Sequence, residues 1–170
     1  MKEKTVLVIM PCYNVQDTLI EALDSVKNQI YKDYVLVCCD DKSTENTYSL
    51  LESNKEKYGY ELFQNDVNMG TGEVVNKMIR TVCGNNEFEF ITWISSDNIL
   101  NNDFLEKHVK KIKEGFAITY SAWMTFGEID RGKQIPDPNL TKLKSEFLLG
   151  PSFLFRKKLW DVAGPFHKLR

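Results

Sequence analysis

Carboxylate, amide and hydroxyl side chains stand together at three places in this sequence, each directly after an apolar run. The first is Pro11-Cys12-Tyr13-Asn14, the second is Asp40-Asp41-Lys42-Ser43-Thr44, and the third is Ser95-Ser96-Asp97-Asn98. Carboxylates are the ligands that hard divalent cations prefer, and such cations in turn bind phosphate groups. The alternative is that these residues only form turns and helix caps, for which Asp, Asn and Ser are also favoured.

The apolar runs before these motifs have the composition of buried strands. Residues Val6–Met10, Val35–Cys39 and Phe90–Ile94 are almost continuously apolar and rich in β-branched residues. This predicts strands covered on both faces, as in a parallel sheet. We predict that Pro11 ends the first strand, because proline has no N–H for the ladder. Since ligands bind beyond the carboxyl ends of such strands, the three motifs are candidates for one binding site.

Apolar residues at helical spacing separate the predicted strands. Thr18 and Glu21 fit a capping box at the start of a first helix, and Ser43 or Thr44 could cap a second one. Three more helices are predicted by the same spacing, over residues 74–82, 105–112 and 157–162. Strands that alternate with helices in this way predict an α/β domain with a mostly parallel central sheet.

The remaining segments are less regular. Tyr60–Phe63 and Phe116–Trp123 are predicted strands, and Gly127–Asn139 is predicted to be a loop or a loose hairpin. Gly70-Thr71-Gly72 has two glycines of a dinucleotide fingerprint, but Val75 occupies the third glycine position and the motif follows the third strand. We therefore predict a tight turn into a helix and not a dehydrogenase.

Composition excludes several classes of protein. The 170 residues suit one domain with a sizeable core, and a net charge of -2 with scattered Lys and Arg gives no footprint for nucleic acid. A basic run at residues 107–113 falls on a predicted helix and is interpreted as a solvated face, with a membrane-surface patch as the alternative. No apolar stretch approaches the roughly 18 residues of a membrane span.

The four cysteines do not form a metal-binding pair. Cys38 and Cys39 are adjacent in a predicted strand and should point to opposite faces of the sheet. No CxxC spacing occurs, so we predict buried, reduced thiols in a cytosolic protein. The predicted localisation is cytoplasmic, with the inner face of the membrane as the alternative.

The order and spacing of the three motifs resemble those of the inverting family 2 glycosyltransferases of the GT-A fold. The resemblance covers nearly the whole chain and includes Gly150–Phe155 followed by Val162-Ala163-Gly164-Pro165-Phe166. It implies the Rossmann-like GT-A fold of nucleotide-diphospho-sugar transferases. It also implies transfer of a sugar from a nucleotide-diphospho sugar to an acceptor hydroxyl with inversion, as in polysaccharide biosynthesis. A UDP-sugar is the favoured donor, and the acceptor would be a saccharide or a lipid-linked molecule.

The resemblance also implies roles for the polar residues. Pro11 and Tyr13 would border the nucleoside, Asp40 and Asp41 would hold its base or ribose, and Ser96 would belong to the same nucleotide site. Asp97 would be the ligand of a divalent metal, Mn²⁺ or Mg²⁺, at the last acidic position of the family's Asp-x-Asp signature. Such metals often take only one or two protein ligands, and they stabilise charge on a departing diphosphate.

Three positions depart from the family pattern. Ser95 stands at the first position of the Asp-x-Asp signature, so one carboxylate remains and we expect weak metal affinity without the nucleotide. Val75 stands where the family often has an arginine that faces phosphate. His167 follows Phe166 where the family continues towards an acidic pair that contains its catalytic base. Inversion needs such a base, and His167 is a possible substitute on chemical grounds.

The catalytic residue is therefore left unassigned. Either residues 1–170 are a single GT-A domain truncated at its C-terminus, or the protein binds donor without efficient transfer, as a nucleotide-sugar-binding module would. A nucleotidyltransferase would want a Gly-rich and basic loop after the first strand, which Pro11-Cys12-Tyr13-Asn14 does not provide. A structural interaction domain is disfavoured by polar motifs at three strand ends. Peripheral membrane association and a homodimer are left open.

Overall fold

The computed structural model describes residues 5–84, 87–125, 133–134 and 152–167. Eight strands and five helices lie within these residues. The strands are β1 (Val6–Cys12), β2 (Tyr34–Asp40), β3 (Glu61–Gln64), β4 (Phe90–Trp93), β5 (Ile118–Tyr120), β6 (Trp123–Met124), β7 (Lys133–Gln134) and β8 (Phe153–Arg156). The helices are α1 (Leu19–Lys27), α2 (Thr47–Tyr58), α3 (Thr71–Cys83), α4 (Phe104–Ile112) and α5 (Lys157–Ala163).

Six strands form the central sheet in the order β3-β2-β1-β4-β8-β5, and β6 pairs with β7 separately. The first four strands of this order are parallel, whereas β8 runs antiparallel between β4 and β5. Helices α1, α2 and α4 pack on one face of the sheet, and α3 and α5 pack on the other. The predicted α/β architecture with a mostly parallel sheet and helices on both faces is confirmed.

Strand β1 lies at the centre and is buried along its whole length. Val6, Val8 and Met10 face the layer of α1, α2 and α4, while Leu7 and Ile9 face α3. Both sides of the strand therefore need apolar residues, which explains the continuous apolar run in the sequence. The same alternation places Cys38 and Cys39 of β2 on opposite faces, as predicted.

The prediction that Pro11 ends β1 is wrong, because the strand continues to Cys12. Pro11 pairs in register with Cys39 of β2, and its carbonyl accepts a hydrogen bond of 3.0 Å from Ser96 Oγ on the side of β4. The N–H and C=O of a strand residue point to the same side, so the missing N–H also faces β4. The ladder between β1 and β4 therefore stops after the hydrogen bond from Ile94 N to Ile9 O, while β1 continues beside β2 to Cys12.

The predicted helix caps are also wrong, because their side chains bind neighbouring loops instead. Thr18 precedes α1 but makes no capping hydrogen bond, and its Oγ1 donates to Ser96 O at 3.1 Å. Helix α2 begins only at Thr47, so Ser43 and Thr44 do not cap it and bind the loop after β1. The polar residues before α1 and α2 therefore form contacts between loops and do not cap the helices.

Other boundaries differ in smaller ways. The predicted strand Phe116–Trp123 is divided into β5 and β6, and the predicted loop Gly127–Asn139 lies outside the described residues apart from β7. The basic run on α4 is solvated, with exposed Lys107 and Lys111 in ion pairs with acidic neighbours on the same segment. In the part of the chain that the structure describes, no helix has the length and apolar character needed to cross a membrane.

Candidate functional site

The carboxyl ends of β1, β2 and β4 lie side by side, and the three polar motifs follow them directly. Hydrogen bonds join the motifs, because Asp41 N donates to Cys12 O at 2.8 Å and Ser96 Oγ donates to Pro11 O at 3.0 Å. The structure therefore brings the residues predicted to bind the nucleotide and the metal to one edge of the sheet. These residues are Pro11, Tyr13, Asp40, Asp41, Ser96 and Asp97.

The loop after β1 is fastened to the loop after β2. Asn14 N donates to Ser43 Oγ at 3.1 Å, and Asn14 Oδ1 accepts a hydrogen bond of 2.9 Å from Thr44 N. Asn14 and Lys42 adopt left-handed backbone conformations, with φ of 52° and 65°. Such conformations are uncommon outside glycine and are found mainly where surrounding contacts enforce them. The two loops therefore form one fixed unit beside the site.

Asp41 is buried, and protein donors occupy its carboxylate. Its Oδ1 accepts from Asn65 Nδ2 at 2.7 Å and from Met69 N at 2.9 Å. Its Oδ2 accepts from Met69 N at 3.1 Å and from Gly70 N at 2.8 Å. A carboxylate offers about four lone-pair positions, so little accepting capacity is left for a ligand unless one of these donors is displaced.

Asp40 is fully buried and points to the face of the sheet opposite Asp41. Its Oδ2 accepts from Ser43 N and from Gln64 Nε2, both at 3.3 Å. Its Oδ1 has no partner among the described residues, although it is buried. A buried acceptor without a donor is costly, and it marks a position that a ligand or water can satisfy. Asp40 thus holds an unused acceptor that Asp41 lacks.

Tyr13 and Asp97 are the exposed members of the site. The Tyr13 side chain is 46% exposed, and Asp97 is exposed as well. Neither side chain forms a hydrogen bond or an ion pair with another residue in the described ranges. The aromatic face of Tyr13 is therefore free to pack against a planar group, and the Asp97 carboxylate is free to bind a cation.

The Asp97 carboxylate fits a divalent cation that takes most of its ligands from elsewhere. Ser96 Oγ is turned towards Pro11 O, so it does not support the same ion. Among the residues that the structure describes, no group of three or more His, Cys, Asp or Glu side chains could hold a metal ion. Mg²⁺ commonly binds through one or two carboxylates together with substrate phosphates and water. Asp97 therefore suits Mg²⁺ or Mn²⁺ in the presence of a diphosphate.

An apolar groove of about 930 Å³ adjoins the sheet edge on the face covered by α3. Its walls include Trp93 and Ser95 at the end of β4, Gly72 at the start of α3, and Trp160 and Phe166 near the end of the described chain. The sequence does not predict this groove, because its walls come from segments that are far apart in the chain and that no local pattern links.

Asn76 fastens one wall of this groove. Its buried amide donates from Nδ2 to Phe166 O and accepts at Oδ1 from Phe166 N, with both hydrogen bonds at 2.8 Å. This pair of bonds fixes the segment after α5 against α3. His167, the substitute base considered from the sequence, consequently lies at the rim of the groove with its side chain exposed.

The cysteines lie apart from this chemistry. Cys12, Cys38 and Cys39 are buried, Cys83 is half-buried, and all four are free thiols. Burial raises the pKa of the Cys39 thiol to about 11. A thiol with such a pKa stays protonated at neutral pH and is a poor nucleophile and metal ligand. The prediction of buried thiols holds for three of the four cysteines, and their reduced state stays a prediction.

The family model for glycosyl transferase family 2 matches residues 7–164, and the chain therefore belongs to this family. A poly(ribitol-phosphate) beta-glucosyltransferase of Bacillus spizizenii is 30% identical to it over 167 residues. The match covers 89% of this chain but 25% of that protein. The chain thus spans about a quarter of the length of this curated relative.

Solved glycosyltransferases share the fold. The structure of S. aureus TarS 1-349 in complex with UDP-GlcNAc has a TM-score of 0.76 and 21% identity, covering 94% of this chain and 47% of that one. The mannosyltransferase PcManGT from Pyrobaculum calidifontis, in complex with GDP-Man and Mn²⁺, has a TM-score of 0.74 and 19% identity, covering 97% and 48%. The likeness confirms the predicted GT-A glycosyltransferase fold.

Proposed function

We propose that this chain binds a nucleotide-diphospho sugar at the carboxyl edge of its sheet and transfers the sugar to an acceptor hydroxyl with inversion. The observation that carries the proposal is the meeting of Tyr13, Asp40 and Asp97 at one edge of the sheet, each with an unused face or oxygen. Membership of glycosyl transferase family 2 supports the same reaction class.

Each residue of the edge has a role in this proposal. The ring of Tyr13 packs on the nucleoside beside Pro11 and Ser96, and Asp40 accepts a hydrogen bond from the base or ribose. Asp41 supports the same site through the loop that it holds. Asp97 binds Mg²⁺ or Mn²⁺ together with the diphosphate. When bound, the metal stabilises negative charge on the departing diphosphate.

UDP is the nucleotide that we favour, and the acceptor is a saccharide or a lipid-linked molecule. Support for UDP comes from the complex of TarS with UDP-GlcNAc, which has the same fold. Support for a carbohydrate or polyol acceptor comes from the name of the Bacillus relative, which acts on poly(ribitol-phosphate). An open groove next to Ser95 gives such an acceptor a route to the donor site.

A donor-binding module without transfer is the second candidate. The titratable side chains that line the groove within the described residues are Glu73 and His167. Neither is oriented by a hydrogen bond to another described side chain, although a general base must be held close to the acceptor hydroxyl. Binding without turnover of the donor is therefore the specific alternative.

Calorimetric titration with UDP, GDP and CDP, with and without Mn²⁺, tests the proposal. Wild type is compared with Asp97→Ala and Asp40→Asn, and with Glu106→Ala on the exposed face of α4 as the matched control. We expect metal-dependent binding of UDP that Asp97→Ala loses and Glu106→Ala keeps. UDP release from UDP-glucose and UDP-GlcNAc then separates transfer or hydrolysis from binding alone. Wild-type affinity in both Asp97→Ala and Asp40→Asn would refute the assigned site.

A further inference from the structure

We propose that Lys77 is a positioning residue of the nucleotide site, which acts through Asn65 on the carboxylate of Asp41 and thereby fixes the start of α3. The inference rests on the proposed nucleotide site. It assigns a role to a half-buried lysine of α3 that lies outside all three strand-end motifs.

The first step is the orientation of the Asn65 amide. Lys77 Nζ donates to Asn65 Oδ1 at 2.6 Å, and Asn65 Nδ2 donates to Asp41 Oδ1 at 2.7 Å. A lysine ammonium only donates and a carboxylate only accepts, so these two groups leave the amide a single orientation. The Asp41 carboxylate already requires the amide nitrogen to face it, and Lys77 binds the amide oxygen at the other end. Lys77 therefore anchors Asn65 in the orientation in which it holds Asp41, and without Lys77 the amide would be fixed at one end only.

In the second step, Asp41 fixes the backbone before α3 by hydrogen bonds. Its carboxylate binds Met69 N and Gly70 N, and Gly70 has a φ of 83°, which favours glycine. Lys77 lies on the same helix about two turns after Gly70. The beginning and the middle of α3 are thus tied to one carboxylate by a chain of hydrogen bonds that the helix backbone closes into a loop, which we call the Asp41 clamp. Its members are Asp41, Asn65, Met69, Gly70 and Lys77.

The third step is electrostatic. Asp41 and Asn65 are both 2% exposed, and a buried carboxylate is costly unless a cation and hydrogen bonds compensate it. Lys77 supplies the positive charge through the bridging amide. The residues held by the clamp, Met69–Glu73, form a wall of the groove beside Ser95. Removing Lys77 should therefore loosen the loop that Asp41 holds, and with it the side of the nucleotide site that this loop supports.

Two measurements on the same variants test this role. The variants are Lys77→Met, which keeps the length and removes the charge, Lys77→Arg, which keeps a donor, and Lys55→Met, an exposed lysine of α2 as the control. We expect Lys77→Met to weaken UDP binding with Mn²⁺ by about tenfold or more and Lys77→Arg to restore most of it. Hydrogen exchange of the segment 65–72 should accelerate in Lys77→Met and not in Lys55→Met.

The outcomes separate this inference from the proposed function. Wild-type UDP affinity in Lys77→Met would overturn the positioning role, even if that variant were less stable or exchanged faster. Unchanged exchange of the segment 65–72 would overturn the Asp41 clamp itself. A wild type that binds no nucleotide would refute the proposed function and with it the nucleotide role of Lys77, while the exchange rates would still decide whether the clamp exists.

Discussion

Lys42 has an uncommon backbone for a long side chain. Its φ of 65° places it in the left-handed region, between Asp41 in the clamp and Ser43 in the bond to Asn14. A residue other than glycine pays about 1–2 kcal/mol for this conformation. The strain persists because the residues on both sides are fixed by contacts of their own.

Replacing Lys42 by glycine should therefore stabilise the protein. We expect Lys42→Gly to raise the free energy of unfolding by about 0.5–1 kcal/mol, since the relief of strain exceeds the added entropy of the unfolded chain. Urea denaturation would measure this change. Lys42→Ala removes the same side chain but keeps the strain, so it should show no such gain. A Lys42→Gly variant less stable than Lys42→Ala would contradict the expectation.

For single residues, the sequence predicts which side chains lie together but not whether each one is exposed, buried or hydrogen-bonded. Asp40, Asp41 and Asp97 all follow apolar runs, and all three reach the predicted edge. Asp40 has an oxygen without a partner, Asp41 accepts hydrogen bonds at both oxygens, and Asp97 is exposed. The hydrogen bonds that saturate Asp41 come from the loop at residues 65–70, whose path depends on tertiary contacts. Strand-end patterns carry no information on that path.

The contact between α3 and the segment after α5 depends on one amide. Asn76→Ala should lower the free energy of unfolding by about 2–3 kcal/mol, because two hydrogen bonds are lost and both backbone groups of Phe166 lose their partner. Asn28→Ala, at an exposed position after α1, should change it by less than about 0.5 kcal/mol. Thermal denaturation of the two variants compares them directly. Equal stability of the variants would mean that Asn76 does not hold this segment.

Helix α4 meets β5 through a buried histidine. His108 Nδ1 lies 2.8 Å from Thr119 Oγ1, and the His108 ring lies 4.3 Å from that of Phe104 between centroids. Burial lowers the pKa of His108 from 6.5 to about 4. The folded protein therefore keeps this imidazole neutral at a pH where the unfolded chain has already bound a proton.

This pKa shift makes stability depend on pH with a definite sign. Between the pKa in the unfolded chain and that in the fold, the unfolded state binds more protons, so stability falls as the pH falls. We expect a loss of about 2 kcal/mol from His108 between about pH 7 and about pH 5, which His108→Gln should not show. Urea titrations at both pH values measure the difference. Parallel pH profiles for the two proteins would exclude a neutral, buried His108.

The spacing of apolar residues predicts the strands and helices well, because burial in the fold determines that spacing. β1 and β2 are covered on two faces, and α3 and α4 each bury one stripe, so their residue patterns repeat the packing. The helix caps are predicted wrongly because Thr18 and the loop after β2 form hydrogen bonds with other loops and not with the helix ends. β1 continues past Pro11 because Pro11 and Cys12 still pair with β2, a tertiary contact that the residues around Pro11 do not indicate.

For the whole molecule, the sequence predicts the layers of the fold but not the order and direction of the strands beyond β4. Repeated strand and helix patterns imply parallel neighbours on one side, where β3, β2, β1 and β4 are found. The other side depends on β8, a short strand that runs antiparallel to both of its neighbours. A strand of so few residues has no sequence pattern that reveals its direction. The groove that β8 lines is therefore not predicted either.

The place of β8 between β4 and β5 also bears on how the protein is made. The ribosome delivers β5 long before β8, yet β5 pairs only with β8 within the described part of the sheet. During synthesis, β1 to β4 can assemble with their helices while β5 still has no neighbour to accept its hydrogen bonds. The nascent chain therefore carries an open sheet edge at β4 until Phe153–Arg156 emerges. An unpaired strand edge of this kind is prone to wrong pairing and aggregation before the chain is complete.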